Sequence, residues 1–234
     1  MSKFGEEVKK IVAVVGLNWT PIAGKFSVEN KGSGDSALKL SICEALDLVK
    51  RDNVILCLSK ENCVCSGGRH FAGLEIVPLE TIAPALTTKK HRIYDSTDTA
   101  LASIRKQPQP VKRGDFFILG PLDKFDSDPD LVFLLVNPAQ ADMVLGLISF
   151  KGAEPFMYYP ASSICSTITN VLAKASPEIN LISTFERRAG SWSPNELVLA
   201  MPLKYFEEAV ENIPNSGYGT SEPQPRKLPS NSKK

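Results

Sequence analysis

The sequence lacks several features that would quickly assign it to a class. No apolar run approaches the roughly 20 residues that span a bilayer, and the acidic residues near its start do not resemble a secretory signal. Only 2 histidines occur among 234 residues, so neither a hydrolytic triad nor a multi-histidine metal site is expected. Walker A, Gly-X-Gly-X-X-Gly, His-Glu-X-X-His and Gly-X-Ser-X-Gly patterns are also absent. We expect a cytoplasmic protein, and the sequence leaves open whether it is an enzyme.

An excess of charge of either sign is also missing. The 27 basic and 26 acidic residues give a formal net charge of +1. No basic stripe with interleaved aromatic residues is present, so nucleic acid is not an expected partner, and neither is a membrane. The 5 cysteines are few and odd in number, which favours reduced thiols over a disulfide framework.

What the sequence does contain is the material for one large core, since 43% of its residues are hydrophobic. The apolar run 131–136, followed by Asn137 and Pro138, predicts a strand that leads into a capped helix. Continuous apolar strands are typical of sheets that are covered on both faces. We therefore predict a single α/β domain over residues 1–213, with a mixed sheet flanked by helices. Residues 214–234 are rich in proline, serine and lysine and are predicted to form a disordered basic tail.

Four further segments bear on the candidate sites. Hydrophobic periodicity predicts amphipathic helices over residues 36–50 and 162–175. Short apolar runs predict strands over residues 156–159 and 179–185. The two helices are of interest because they carry Cys43 and Cys165.

Residues 62–78 combine thiols, glycines, an arginine and a histidine within one short stretch. Gly67 and Gly68 would let backbone N–H groups approach an anion, with Arg69 completing the pocket. The same glycines would also permit a tight turn and nothing more. His70 is a candidate ligand or proton donor, or an ordinary helix residue. Both interpretations stay open for each residue.

Several segments resemble a known family. They are Cys65-Ser-Gly-Gly-Arg-His-Phe-Ala-Gly-Leu74, Asp130-Leu-Val-Phe-Leu-Leu-Val-Asn-Pro-Ala-Gln140, Gly120-Pro-Leu122, Ser163-Ile-Cys-Ser166 and the cysteine at position 43. In their order, residues 20–213 resemble the uncharacterised ArCR family, domain of unknown function 169. This resemblance brings no established activity, but it selects Cys43, Cys65 and Cys165 from the five cysteines.

The first functional hypothesis is a metal site made of Cys43, Cys65 and Cys165. Thiolates are preferred ligands of zinc, copper(I) and iron–sulfur clusters. Three thiolates would leave one coordination position open, beside which His70 or Arg69 would orient a small ligand. Zinc or an iron–sulfur cluster is the cofactor predicted by this hypothesis. The alternatives are redox-active thiols and inert structural thiols, since cysteine is commonly buried.

The second hypothesis is a metal-free module that binds a small anionic molecule or cofactor. Its site would join Gly67, Gly68 and Arg69 to Asn137 and Gln140. Ligands often bind where strands of an α/β sheet end, and capping alone explains Asn137 but not the polar Gln140. Arg188, beside another arginine, is a further candidate for binding a carboxylate or phosphate. The alternative is that it is an ordinary surface residue. A structural or accessory protein is the third interpretation.

Overall fold

Helices and strands are interspersed along the chain, which confirms the predicted α/β class. The computed structural model describes residues 2–30, 38–88, 93–152 and 163–218. The strands are β1 (Ile22–Ser27), β2 (Leu56–Ser59), β3 (Phe116–Pro121), β4 (Leu131–Val136), β5 (Glu178–Asn180) and β6 (Leu197–Met201). The α-helices are α1 (Gly5–Val15), α2 (Ile42–Asp52), α3 (Ser66–Phe71), α4 (Leu79–Ile82), α5 (Thr97–Arg105), α6 (Pro138–Ile148), α7 (Ile164–Lys174), α8 (Thr184–Ala189) and α9 (Leu203–Asn212).

The strands form one sheet in the order β2-β3-β1-β4-β6-β5. Every pairing between these strands is antiparallel, whereas the sequence predicted a mixed sheet. The strands are continuously apolar because helices cover both faces of the sheet, and not because the strands pair in parallel. All six residues of β4 are buried, because helices cover both faces of this antiparallel sheet.

The core is divided by the sheet into two apolar layers. Along β4, Leu131, Phe133 and Leu135 belong to one layer, and Val132, Leu134 and Val136 belong to the other. This alternation follows from the two-residue period of a strand. The first layer includes residues of α2, α3, α5 and α7, and the second includes residues of α1, α6 and α9.

The predicted strand over residues 179–185 is confirmed for its first two residues and is wrong beyond Asn180. β5 ends at Asn180, and α8 begins at Thr184. The Ser183 side chain accepts a hydrogen bond from the Glu186 amide, and the Glu186 carboxylate accepts one from the Ser183 amide. This capping box favours a helix over continued strand, and Ser-X-X-Glu is its sequence signature.

Three predictions lie partly or wholly outside the described residues. They concern the strand at 156–159, residues 36–37 of the helix predicted at 36–50 and residues 219–234 of the tail predicted at 214–234. The described part of that helix begins at Ile42, later than predicted, because Ser41 caps it. The first residues of the predicted disordered tail are ordered, since a 3-10 turn covers Ile213–Asn215 and Ser216 is buried. In the described part of the chain, no helix is long and apolar enough to cross a membrane.

Gly24, in the middle of the central strand β1, leaves room for two aromatic rings. A Cβ atom at this position would lie 2.8 Å from the ring of Phe117 and 3.1 Å from that of Phe133. We expect Gly24→Ala to lower the free energy of unfolding by about 1–3 kcal/mol, because both rings are buried and have little room to move. Chemical denaturation would measure this difference.

The matched control is Gly217→Ala, since no heavy atom lies within 4 Å of a Cβ built there. This control should change the free energy of unfolding by less than about 0.5 kcal/mol. Equal effects of the two substitutions would contradict the close packing at Gly24.

Candidate functional site

Cys43 and Cys165 lie at matching places in two long helices. Each is the second residue of its helix, after the N-cap serines Ser41 and Ser163. Both thiols are buried, with 7% and 5% of their residue surface exposed. The two side chains are close enough for each to change the pKa of the other. Residues 122 positions apart thus meet in the layer between helices α2 and α7.

Cys65 is the residue that caps α3. Its sulfur accepts a hydrogen bond from the amide of Gly68 at 3.3 Å. A Cβ at Gly68 would lie 3.2 Å from a side-chain carbon of Ile42 and 3.3 Å from the sulfur of Cys63. The absence of a side chain at Gly68 therefore lets the start of α3 pack closely against the start of α2.

The three predicted thiols line one pocket of about 100 Å³. Gly67, Gly68, Ser163 and Ser183 contribute to the same lining. The remaining wall is largely apolar and comes from α3, α4, α5 and the chain between the last two: Phe71, Ile82, Leu86, Ile93, Tyr94 and Ile104. The structure therefore brings together three cysteines whose spacing in the sequence gave no sign of proximity.

Glu186 completes this pocket and was missed by the sequence reasoning. It is 3% exposed, and one carboxylate oxygen accepts hydrogen bonds from the amide and hydroxyl of Ser183, both at 2.9 Å. The other oxygen accepts from the amide of Ile164 and from the thiol of Cys43, whose sulfur is 3.7 Å away. Its signal in the sequence was the capping box at the start of α8.

The surroundings of the buried thiols favour their protonated forms. A hydrogen bond from Cys165 lowers the pKa of Cys43, but burial and the negative charge of Glu186 more than offset this, so the pKa is raised. The pKa of Cys165 is raised well above its usual value by the hydrogen bond to Cys43, burial and nearby negative charge. Burial raises the pKa of Cys63 to about 12. Neutral thiols are therefore expected at physiological pH.

Three other predicted site residues are not among those that line this pocket. Arg69 forms an ion pair with Glu75, with 3.3 Å between nitrogen and oxygen, and is not part of the pocket lining. His70 is 3% exposed, and its Nδ1 accepts from the amide of Val77 at 3.2 Å. Burial lowers the pKa of His70, which favours a neutral core histidine. Arg188 is exposed at the end of α8.

Asn137 and Gln140 lie in a second pocket of about 290 Å³. This pocket shares no lining residue with the thiol pocket. Asn137 and Gln140 form a reciprocal capping box, with both hydrogen bonds at 2.9 Å. The side-chain amide of Gln140 also donates to the carbonyl of Gly16 at 2.5 Å. Gln140 therefore has a structural explanation, since it ties the start of α6 to the end of α1.

The described side chains around the thiols are not arranged to hold a single metal ion. In the ranges that the structure describes, no group of three or more His, Cys, Asp and Glu side chains is placed to hold a metal ion. The donor types, however, are those of a soft metal centre: three sulfurs in an apolar pocket, with one carboxylate beside them.

Together these features define an α/β protein whose antiparallel sheet carries a thiol-lined pocket between the starts of helices. Sequence comparison then places it among known proteins. The profile of the uncharacterised ArCR family, domain of unknown function 169, matches residues 10–212, and the chain belongs to this family. It is 21% identical over 220 residues to an uncharacterized protein of Methanocaldococcus jannaschii, a match that covers 91% of this chain and 94% of that protein. No solved structure matches the chain.

The role of Glu186 is open to a direct test by substitution. We expect Glu186→Ala to lower the free energy of unfolding by about 3 kcal/mol, because the buried amide of Ile164 and the partly buried amide of Ser183 would lose their acceptor. Denaturant titration of the reduced protein would measure the loss.

Glu44→Ala is the matched control, since Glu44 forms the capping box of α2 and is only partly buried. Water replaces its hydrogen bonds, so a loss of about 1 kcal/mol is expected. If both variants lose the same stability, Glu186 does no more than cap its own helix.

Proposed function

We propose that the protein binds an iron–sulfur cluster through the thiolates of Cys43, Cys65 and Cys165. The observation that carries this proposal is that these thiols, from the starts of three helices, line one pocket. Cysteine thiolates are the usual ligands of such clusters, and the surrounding apolar residues and hydrogen bonds tune the potential. When bound, a cluster supplies electron transfer or, at an iron without a thiolate, binding of a small ligand.

A cluster accounts for the arrangement better than a single zinc ion. Tetrahedral zinc with bonds of about 2.3 Å requires thiolates in mutual contact. In the described part of the chain, Cys43 and Cys165 are close to each other, but no three His, Cys, Asp or Glu side chains are placed to hold a single ion. A cluster spreads its thiolates over several iron atoms and therefore accepts thiols that stand farther apart. Both oxygens of Glu186 already accept hydrogen bonds from the backbone, so this carboxylate is better suited to supporting the site than to binding iron.

The raised pKa values are compatible with such a site. Metal ligands must be deprotonated, so binding of a metal releases protons and becomes stronger as pH rises. The starts of helices α2 and α7 supply partial positive charge that would stabilise thiolates at Cys43 and Cys165. Without a metal, burial and Glu186 outweigh this effect and keep the thiols neutral.

Anaerobic reconstitution with iron and sulfide tests the proposal. The wild-type protein should take up iron and sulfide in equal amounts and show the broad visible absorption of a cluster. Cys43→Ser, Cys65→Ser and Cys165→Ser should each lose most of the iron, since each removes one ligand. Elemental analysis and absorption spectra of the purified proteins provide the measurement.

Cys57→Ser is the matched control because Cys57 is also buried, at 8% exposure, but belongs to the apolar layer on the other face of the sheet. It should retain the iron of the wild type. The proposal fails if the wild type takes up no iron, or if iron survives substitution of all three pocket cysteines.

A metal-free apolar ligand is the second candidate, and the apolar wall of the pocket favours it. In that case a small apolar probe such as benzene should raise the melting temperature of the iron-free protein, because a ligand stabilises the state that binds it. Ile93→Trp should abolish this shift by filling the mouth of the pocket, where Ile93 is 42% exposed.

Ile76→Trp provides the control, since Ile76 is 52% exposed and lies outside the pocket lining. It should leave the shift unchanged. Absence of any shift in the wild type, measured by scanning calorimetry, would reject the apolar-ligand candidate.

A further inference from the structure

A short pattern occurs twice in the chain, at the starts of α2 and α7. The segments Ser41-Ile-Cys43 and Ser163-Ile-Cys165 each provide an N-cap serine, a fully buried isoleucine and a pocket thiol. Both helices are 11 residues long. Both end in a left-handed residue, at φ 56° for Asn53 and φ 50° for Ala175. The two helices therefore agree in their first turn, length and last residue.

The agreement continues in the elements that follow these helices. α2 leads into β2 and α7 into β5, which are the two edge strands of the sheet. β2 pairs with β3, and β5 pairs with β6. Each edge strand is then followed by a helix of six residues, α3 or α8. The residues that cap these short helices are Cys65 and Ser183.

The central strands complete the correspondence. β1 and β4 have six residues each and pair with one another in antiparallel fashion. Reading outward from this pair, the strand order is β1-β3-β2 on one side and β4-β6-β5 on the other. A two-fold axis between β1 and β4, perpendicular to the sheet, would exchange the two halves. Prolines 121 and 202, each followed by a helical turn, agree with this exchange.

We infer that the pocket is formed by two copies of one structural motif, and that Ser183 is the counterpart of Cys65. Cys43 and Cys165 are the first corresponding pair, and Cys65 and Ser183 are the second. The bound group would then be contacted from four positions, which we call corners. Three corners are the thiols of Cys43, Cys165 and Cys65, and the fourth is the hydroxyl of Ser183. This inference rests on the proposed function for the nature of the bound group, but the correspondence itself does not.

The local geometry of the second pair supports this assignment. The sulfur of Cys65 accepts from the amide of Gly68, and the hydroxyl of Ser183 accepts from the amide of Glu186, each at 3.3 Å. Both cap residues line the thiol pocket. The difference lies three residues later, where one copy has Gly68 and the other has Glu186. The fourth corner is therefore polar and has no thiol, which suits a bound group with one position open to a small polar ligand.

Moving the thiol from one copy of the motif to the other tests the inference. Cys65→Ser should lose most of the reconstituted iron. The double variant Cys65→Ser/Ser183→Cys should regain most of it, because it restores three thiols at corresponding corners. A cysteine is compatible with position 183, since Cys65 already caps a helix with its sulfur. Iron content and visible absorption are the readouts.

The matched control is Cys65→Ser/Ser96→Cys, because Ser96 also caps a helix but lies outside the pocket lining. This control should stay as low in iron as Cys65→Ser. If the wild type binds iron while the Ser183→Cys double variant does not, the correspondence of Cys65 and Ser183 is wrong.

A second readout keeps the inference testable if the wild type binds no iron. Phenylarsine oxide joins two neighbouring thiols through arsenic, with loss of water. In the metal-free double variant, the cysteine at 183 should be joined to Cys43 or Cys165, as shown by mass spectrometry of its peptides. The cysteine at 96 in the control variant should not be joined. No joining of the cysteine at 183 would overturn the inference, whatever the outcome with iron.

Discussion

The buried carboxylate of Glu186 is the interaction on which the arrangement of the pocket depends. It accepts hydrogen bonds from the starts of α7 and α8 and from the Cys43 thiol on α2. Buried backbone amides need acceptors, and one side chain here serves amides from two helices. Because these helices carry Cys43, Cys165 and Ser183, the carboxylate also sets where the polar atoms of the pocket stand.

The pocket thiols are subject to opposing electrostatic effects. The start of a helix favours a thiolate, whereas burial and the charge of Glu186 favour the neutral thiol. Burial and the carboxylate prevail, as the raised pKa values of Cys43 and Cys165 indicate. Protons and a metal ion therefore compete for the same sulfurs, so a protonated pocket can be stable alone and still be suited to a metal.

Much of the local structure could be predicted from the sequence, because it depends on neighbouring residues. The apolar run of β4 and the cap of α6 are such cases. The strand predicted across residues 179–185 was wrong beyond Asn180, because the capping box of Ser183 and Glu186 begins α8 there. The sheet is antiparallel rather than mixed, since apolar strands report coverage on both faces and not strand direction. Gln140 looked unexplained until its contact with Gly16, 124 residues away, was known.

The sequence by itself determined which thiols are candidate site residues, since the segments around Cys43, Cys65 and Cys165 resemble segments of the family. It also contained both Ser-Ile-Cys patterns and the Ser-X-X-Glu signature of α8. Only the tertiary structure decided that the three thiols share a pocket, that Arg69 and His70 are outside it and that Glu186 lies within it. The physical reason is that capping and periodicity act over a few residues, whereas the pocket is formed by helix ends brought together when the sheet assembles.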